Sequence, residues 1–172
     1  RMNLNTSDVV RYFRDERNPS SIINNQVNEI IKDKSGVIWC ATEGGISYIS
    51  PKALKFNNPF NLIIKSVLSD ELKTKNVRSV ITDSHSDMFF GTDDGVYQLI
   101  NSTSKSEPIK ISSTNQFNVW SLEPGNNHDL WIGTYGQGLK QLSLNNGEIK
   151  SWRIESPTFK TTAFDYIKSL FL

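Results

Sequence analysis

"VNEIIKDKSGVIWCATEGGISYI", residues Val27 to Ile49, decides the reading of this chain. It opens with a short run rich in β-branched residues, turns at "DKSG", and continues in a second apolar run that ends in Trp39, Cys40, Ala41 and Thr42. A turn containing Gly44 and Gly45 leads into a third run, "ISYI". Short β-branched and aromatic runs bounded by turn residues read as strands. The middle run is apolar at successive positions, as a strand buried on both faces should be.

The same frame recurs twice. Val77 to Ile100 reads "VRSVITDSHSDMFFGTDDGVYQLI", and Val119 to Leu142 reads "VWSLEPGNNHDLWIGTYGQGLKQL". In each copy a Val is followed three residues later by Ile, Val or Leu. A polar turn comes next, then an aromatic (Trp39, Phe89, Trp131), a small residue two positions on (Ala41, Gly91, Gly133) and a Thr (Thr42, Thr92, Thr134). The leading valines are 50 and 42 residues apart, and "YIKSLFL" places Ile167 and Leu170 where a further copy would begin. A fourth, weaker strand is expected in "NLIIKSVL", "EPIKIS" and "GEIKSWRI". No amphipathic helix of ten residues or more is visible, and "SDELKTKNV" holds at most one helical turn.

Four antiparallel strands in a tandem unit of about 45 residues are the signature of β-propeller blades. A blade cannot bury both faces alone and needs one on each side. The small residue before Thr belongs where neighbouring sheets approach closely, and the aromatic fills the wider part of that gap. The expected architecture is all-β: an incomplete ring of about three whole blades (27–76, 77–118 and 119–166). An outer strand, Asp8 to Arg14, and its connection fill 8–26, and an inner strand of a next blade spans 167–172. Propellers have 4–8 blades, so the chain reads as a piece of a larger one, its open faces covered by further blades or a second copy.

Composition narrows the function. Lys plus Arg number 19 and Asp plus Glu 18. No basic excess exists to bind a phosphate backbone, so nucleic acid is not expected. The lone Cys40 excludes an intrachain disulfide and reads as a small core residue. No run approaches the ~18 apolar residues of a membrane span. "RMNLNTSDVVRYF" lacks a signal-peptide pattern, and the repeat argument favours a chain without its leader. "TEGGI" is a turn and not a phosphate loop, because no Lys follows and no helix opens there.

"GVIWCATEGGISYI", "DMFFGTDDGVYQLI" and "DLWIGTYGQGLKQL" resemble the two-component regulator propeller repeat. "VVRYFRDERNPSSIINNQV", residues 9 to 27, is similar to the family's connection between blades. Phe89 in place of Trp and the pair Cys40–Ala41 in place of an apolar residue and Gly depart from the pattern. The resemblance implies the periplasmic sensor region of a hybrid two-component histidine kinase, homodimeric in the full protein. It also implies an oligosaccharide or other small ligand, and a kinase domain outside this sequence.

Antiparallel topology puts the connection entering each unit and the loop after its Thr on one face. Asn24, Asn25, Asn76 and Asn118 lie in the first set; Glu43, Asp93, Asp94, Tyr135 and Gln137 lie in the second, with Arg78 and Trp120 one residue into the inner strands. Aromatic platforms with amide, carboxylate or guanidinium partners suit sugar hydroxyls. The expected ligand-binding residues are therefore Arg78, Asp93, Asp94, Trp120, Tyr135 and Gln137. Trp120 packing between blades and solvated acidic turns are the plainer reading of the same residues. No catalytic residue, cofactor or metal is expected: His85 and His128 read as loop histidines on the opposite face, and a metal pair would need further ligands. The alternatives are a propeller lyase or hydrolase acting on a glycan or cyclic ester, and a scaffold that transmits dimer geometry.

Overall fold

The computed structural model describes residues 3–49, 56–57, 75–100, 108–152, 167–168 and 170. Among the described residues, twelve strands form three antiparallel sheets of four, each in sequential order. The first holds β1 (Val27–Lys32), β2 (Ile38–Thr42), β3 (Gly45–Ile49) and β4 (Phe56–Asn57). The second holds β5 (Val77–Thr82), β6 (Met88–Thr92), β7 (Gly95–Leu99) and β8 (Ile109–Lys110). The third holds β9 (Val119–Pro124), β10 (Asp129–Thr134), β11 (Leu139–Ser143) and β12 (Ile149–Trp152). β1 packs on β5, and β5 on β9, so the innermost strands run side by side. This is the arrangement of propeller blades in an open array.

The repeated residues explain the arrangement. Trp39, Ala41 and Ile46 of the first blade share one core with Val77, Val80, Met88, Phe90, Tyr97 and Leu99 of the second. Phe89 and Val96, on the other side of the second blade, share another with Val119, Leu122, Leu130, Ile132 and Leu142. Every residue of β6 is buried, which is why its sequence shows no alternation. Gly91 faces the next blade, where an added Cβ would stand 2.6 Å from Val119 Cγ1. At Gly133 the corresponding Cβ would stand 2.7 Å from the Ile167 carbonyl oxygen. Ile167 thus docks on the third blade as Val119 docks on the second.

The Thr ending each second strand ties its turn. Thr42 donates to the Gly45 carbonyl at 2.8 Å, Thr92 to that of Gly95 at 2.9 Å and Thr134 to that of Gly138 at 2.5 Å. These glycines have φ of 118°, 135° and 74°, a region costly for side-chain-bearing residues.

Two expectations need correction. Residues 8–14 form no continuous strand, with only an isolated bridge at Val9. Instead the N-terminal segment lies on the first blade. Ile22 is buried against Cys40, flanked by Tyr12 and Ile49, and the Ile23 amide donates to Ser47 Oγ at 3.0 Å. The fourth strand of the first blade is Phe56–Asn57, paired with β3. The stretch expected to form it, 61–68, lies outside the described residues, as do residues 169, 171 and 172 of the expected inner strand 167–172. "EPIKIS" and "GEIKSWRI" supply β8 and β12 as expected.

Candidate functional site

The front face, where the innermost strands begin, also carries the turns after the threonines. Glu43 accepts a bond from Gln26 Nε2 at 2.6 Å, and the Tyr135 amide donates to the Asn118 carbonyl at 2.8 Å. Both bonds join the connection entering a blade to that blade's post-Thr turn.

A shared irregularity aims the side chains here. In all three blades the register between first and second strand slips at the same place. Val27 pairs with Thr42 and Glu29 with Ala41; Val77 pairs with Thr92 and Ser79 with Gly91; Val119 pairs with Thr134 and Ser121 with Gly133. The skipped residues are Asn28, Arg78 and Trp120. A bulge re-aims its extra side chain, and here each reaches the next blade. Asn28 Nδ2 donates to the Val77 carbonyl at 2.7 Å and to Asn76 Oδ1 at 3.0 Å. Arg78 Nη1 donates to Asn118 Oδ1 and lies 3.4 Å from the Val119 carbonyl. The guanidinium of Arg78 sits 5.1 Å from the centre of the Trp120 ring, and Lys168 Nζ sits at the same distance. Trp120 stacks on Tyr135 at 5.3 Å and 17°, and Tyr135 is 45% exposed.

Of the six expected ligand-binding residues, Arg78, Trp120 and Tyr135 come together, and Gln137 joins through the turn that holds Tyr135. Its amide donates to Thr134 Oγ1 at 3.2 Å. Two buried polar atoms of this cluster have no hydrogen-bond partner among the described residues: the indole N–H of Trp120 and the side-chain oxygen of Gln137. Asp93 is exposed at its own turn. Asp94 is committed within the second blade: Lys75 lies 2.9 Å from its carboxylate and Lys110 3.1 Å, and it accepts from Thr92 Oγ1 at 2.8 Å. Burial alone would raise its pKa, but Lys75, Thr92 and Lys110 outweigh burial and hold it at about 2. Lys168 escaped the sequence reading. Its register was the available signal, since it follows Ile167 as Arg78 follows Val77 and Trp120 follows Val119.

No known family profile and no curated relative matches the chain. Solved structures do. The extracellular domain of the putative one-component system BT4673 from B. thetaiotaomicron superposes with a TM-score of 0.72 at 21% identity, over 92% of this chain and 20% of that one. The extracellular domain of the putative hybrid two-component system BT3049 from the same organism gives 0.51 at 17%, over 99% and 27%. Virginiamycin B lyase from Staphylococcus aureus gives 0.53 at 12%, over 74% and 41%. The shared property at these identities is the fold, a β-propeller. BT3049, and BT4673 where its extracellular domain is described as that of a putative hybrid two-component system, are of the kind of system that the sequence resemblance implied. The chain spans about a fifth of the length of BT4673's extracellular domain.

Proposed function

We propose that this chain is part of the periplasmic propeller sensor of a two-component system, and that its front face recognises an oligosaccharide. The observation that carries this reading is the cluster of Arg78, Trp120, Tyr135, Gln137 and Lys168. It joins an exposed aromatic ring to a buried donor, Trp120 Nε1, and a buried acceptor, Gln137 Oε1, neither of which has a partner among the described residues. Burying a polar atom unpaired costs about 1–3 kcal/mol. A sugar hydroxyl both accepts and donates, so one hydroxyl type matches both atoms while a pyranose face stacks on Tyr135. Signalling then passes to a kinase domain elsewhere in the full protein, as a homodimer. Asp93 and Asp94 drop to secondary positions, Asp94 because its charge is already neutralised by two lysines.

Calorimetric titration of the full sensor with a panel of neutral and acidic oligosaccharides tests the reading. Binding that falls at least tenfold in both Tyr135→Ala and Gln137→Ala, with melting temperature unchanged, supports it. Wild-type affinity in both variants, or no binding by any sugar, sinks it. The likeness to a lyase keeps an enzyme as the second reading. Turnover of a glycan or cyclic ester by the same protein would favour it over a sensor.

A further inference from the structure

The rear face carries a different chemistry. In the first blade Asp33 organises the turn between β1 and β2. Its Oδ1 accepts from the amides of Ser35 and Val37, at 2.9 and 3.0 Å, and its Oδ2 accepts from Trp39 Nε1 at 2.9 Å. Asp83 is the same residue in the second blade. Its Oδ1 accepts from the amides of His85 and Asp87, both at 2.9 Å. The residue in Trp39's place is Phe89, which has no N–H to give. Asp83 Oδ2 is consequently buried without a hydrogen-bond partner among the described residues, on a side chain only 9% exposed. The third blade keeps Trp131 but has Gly125 in place of the Asp, and a Cβ there would meet the indole nitrogen at 3.0 Å.

Two histidines face the orphaned oxygen. His85 Nδ1 lies 3.5 Å from Asp83 Oδ2, and His128 Nε2, from the third blade, lies 3.9 Å away. The rings are 4.9 Å apart. His128 Nδ1 is 3.1 Å from Asn145 Oδ1. An amide oxygen accepts, so Nδ1 carries a proton in this arrangement, and in the neutral ring Nε2 keeps its lone pair for a metal ion. Such a partner on the far nitrogen is how metal-ligating histidines are fixed. His128 also holds a left-handed backbone conformation, φ 62°, uncommon for a residue with a side chain.

We propose that Asp83, His85 and His128 form a divalent transition-metal site, zinc being the matching ion, that bridges the second and third blades. The three ligand atoms lie within 4.8 Å of one another. Ligands of tetrahedral zinc, at about 2.0–2.1 Å, stand about 3.3–3.5 Å apart. The His85–Asp83 separation of 3.5 Å already matches that spacing, and metal binding would require the exposed His85 ring to rotate and His128 to close from 3.9 Å. Two imidazoles and a carboxylate leave the fourth position open, as in zinc sites that bind an exchangeable ligand. A cavity of about 350 Å³, lined by Asp83, Ser84, Asn126, Asn127 and His128 among others, adjoins the site. Because His128 and Asp83 come from different blades, the ion would also pin the blades together at the rear.

The test is titration of the tag-free full chain with Zn²⁺ alone, read by calorimetry and by melting temperature, with Co²⁺ absorption reporting coordination. One Zn²⁺ per chain is expected, with a raised melting temperature that a chelator reverses. His85→Ala leaves the backbone donor to Asp83 in place, and His128→Asn suits the left-handed backbone; each is expected to weaken binding at least tenfold. Asp83→Asn keeps the turn's acceptor and removes the ligand oxygen, with the same result. Absence of saturable one-to-one binding overturns the proposal, as does a loss of less than tenfold in either histidine variant. If circular dichroism shows His128→Asn misfolded, His85→Ala decides, since its side chain is 64% exposed.

Discussion

Gly91→Ala probes what holds the second and third blades at their spacing. The new Cβ would lie 2.6 Å from Val119 Cγ1, and 3.3 and 3.4 Å from Leu122 Cγ and Cδ1. Val119 and Leu122 are both buried, at 0% and 3% exposure. Val119 is stiff about χ1, so relief must come from a shift of the strand. Overpacking of this kind costs about 1–3 kcal/mol. Against it stands a gain of about 0.4–1 kcal/mol from restricting the unfolded chain. The clash wins, and a net loss of about 1–2 kcal/mol is expected.

The first interface shows how an alanine is accommodated. Ala41 occupies the equivalent place with 0% exposure, and the residue matching Leu122 is the smaller Val80. Leu122→Val in the Gly91→Ala background should therefore recover part of the loss. A double-mutant cycle in urea, followed by tryptophan fluorescence, should give a coupling above about 0.5 kcal/mol. A neutral or stabilising Gly91→Ala, or strictly additive effects, would refute the idea that this glycine sets the spacing.

Asp94→Asn should cost about 1 kcal/mol at pH 7, after allowance for screening of its partly exposed lysine pairs. Asp94's pKa is depressed, so its contribution is present above about pH 4 and fades as pH falls towards 2; melts at pH 7 and pH 3 should show the wild-type advantage shrinking. Asp33→Ala removes the acceptor for Val37, Ser35 and Trp39 and should cost about 2–3 kcal/mol in urea unfolding. Cys40 is buried and its thiol is pushed up to about 11 by burial. Iodoacetamide at pH 8 should modify it slowly in the folded chain and rapidly in urea, as followed by mass spectrometry.

The blades were legible because their determinants are local and repeated. The order aromatic, small residue, Thr reports contacts that each sheet makes with the next, so it recurs with each sheet. The segment 8–14 was misread for the opposite reason. "VVRYF" has strand composition, but composition cannot say whether a partner strand stands beside it. The front-face cluster was half legible. Arg78, Trp120 and Tyr135 could be placed by topology, yet nothing in their spacing announces the slip that skips Asn28, Arg78 and Trp120. Without that slip the three would alternate with their neighbours and point elsewhere.

Blade-to-blade comparison also separates architecture from recognition. Asn28, Arg78 and Trp120 hold one geometric position with three chemistries. The first two bond the entrance of the next blade, as an inter-blade staple should. Trp120 makes no such bond among the described residues, and its buried N–H has no partner there. The rear face follows the same logic. Asp33 has its Trp, whereas Asp83 has lost the donor and faces two histidines instead. In a repeat, a residue that keeps its bonds in every copy is explained by the fold. A residue whose partner has been replaced in one copy, with the polar atom still buried, needs another partner there. That criterion selects Trp120 at the front and Asp83 at the rear, on opposite faces of the same two blades.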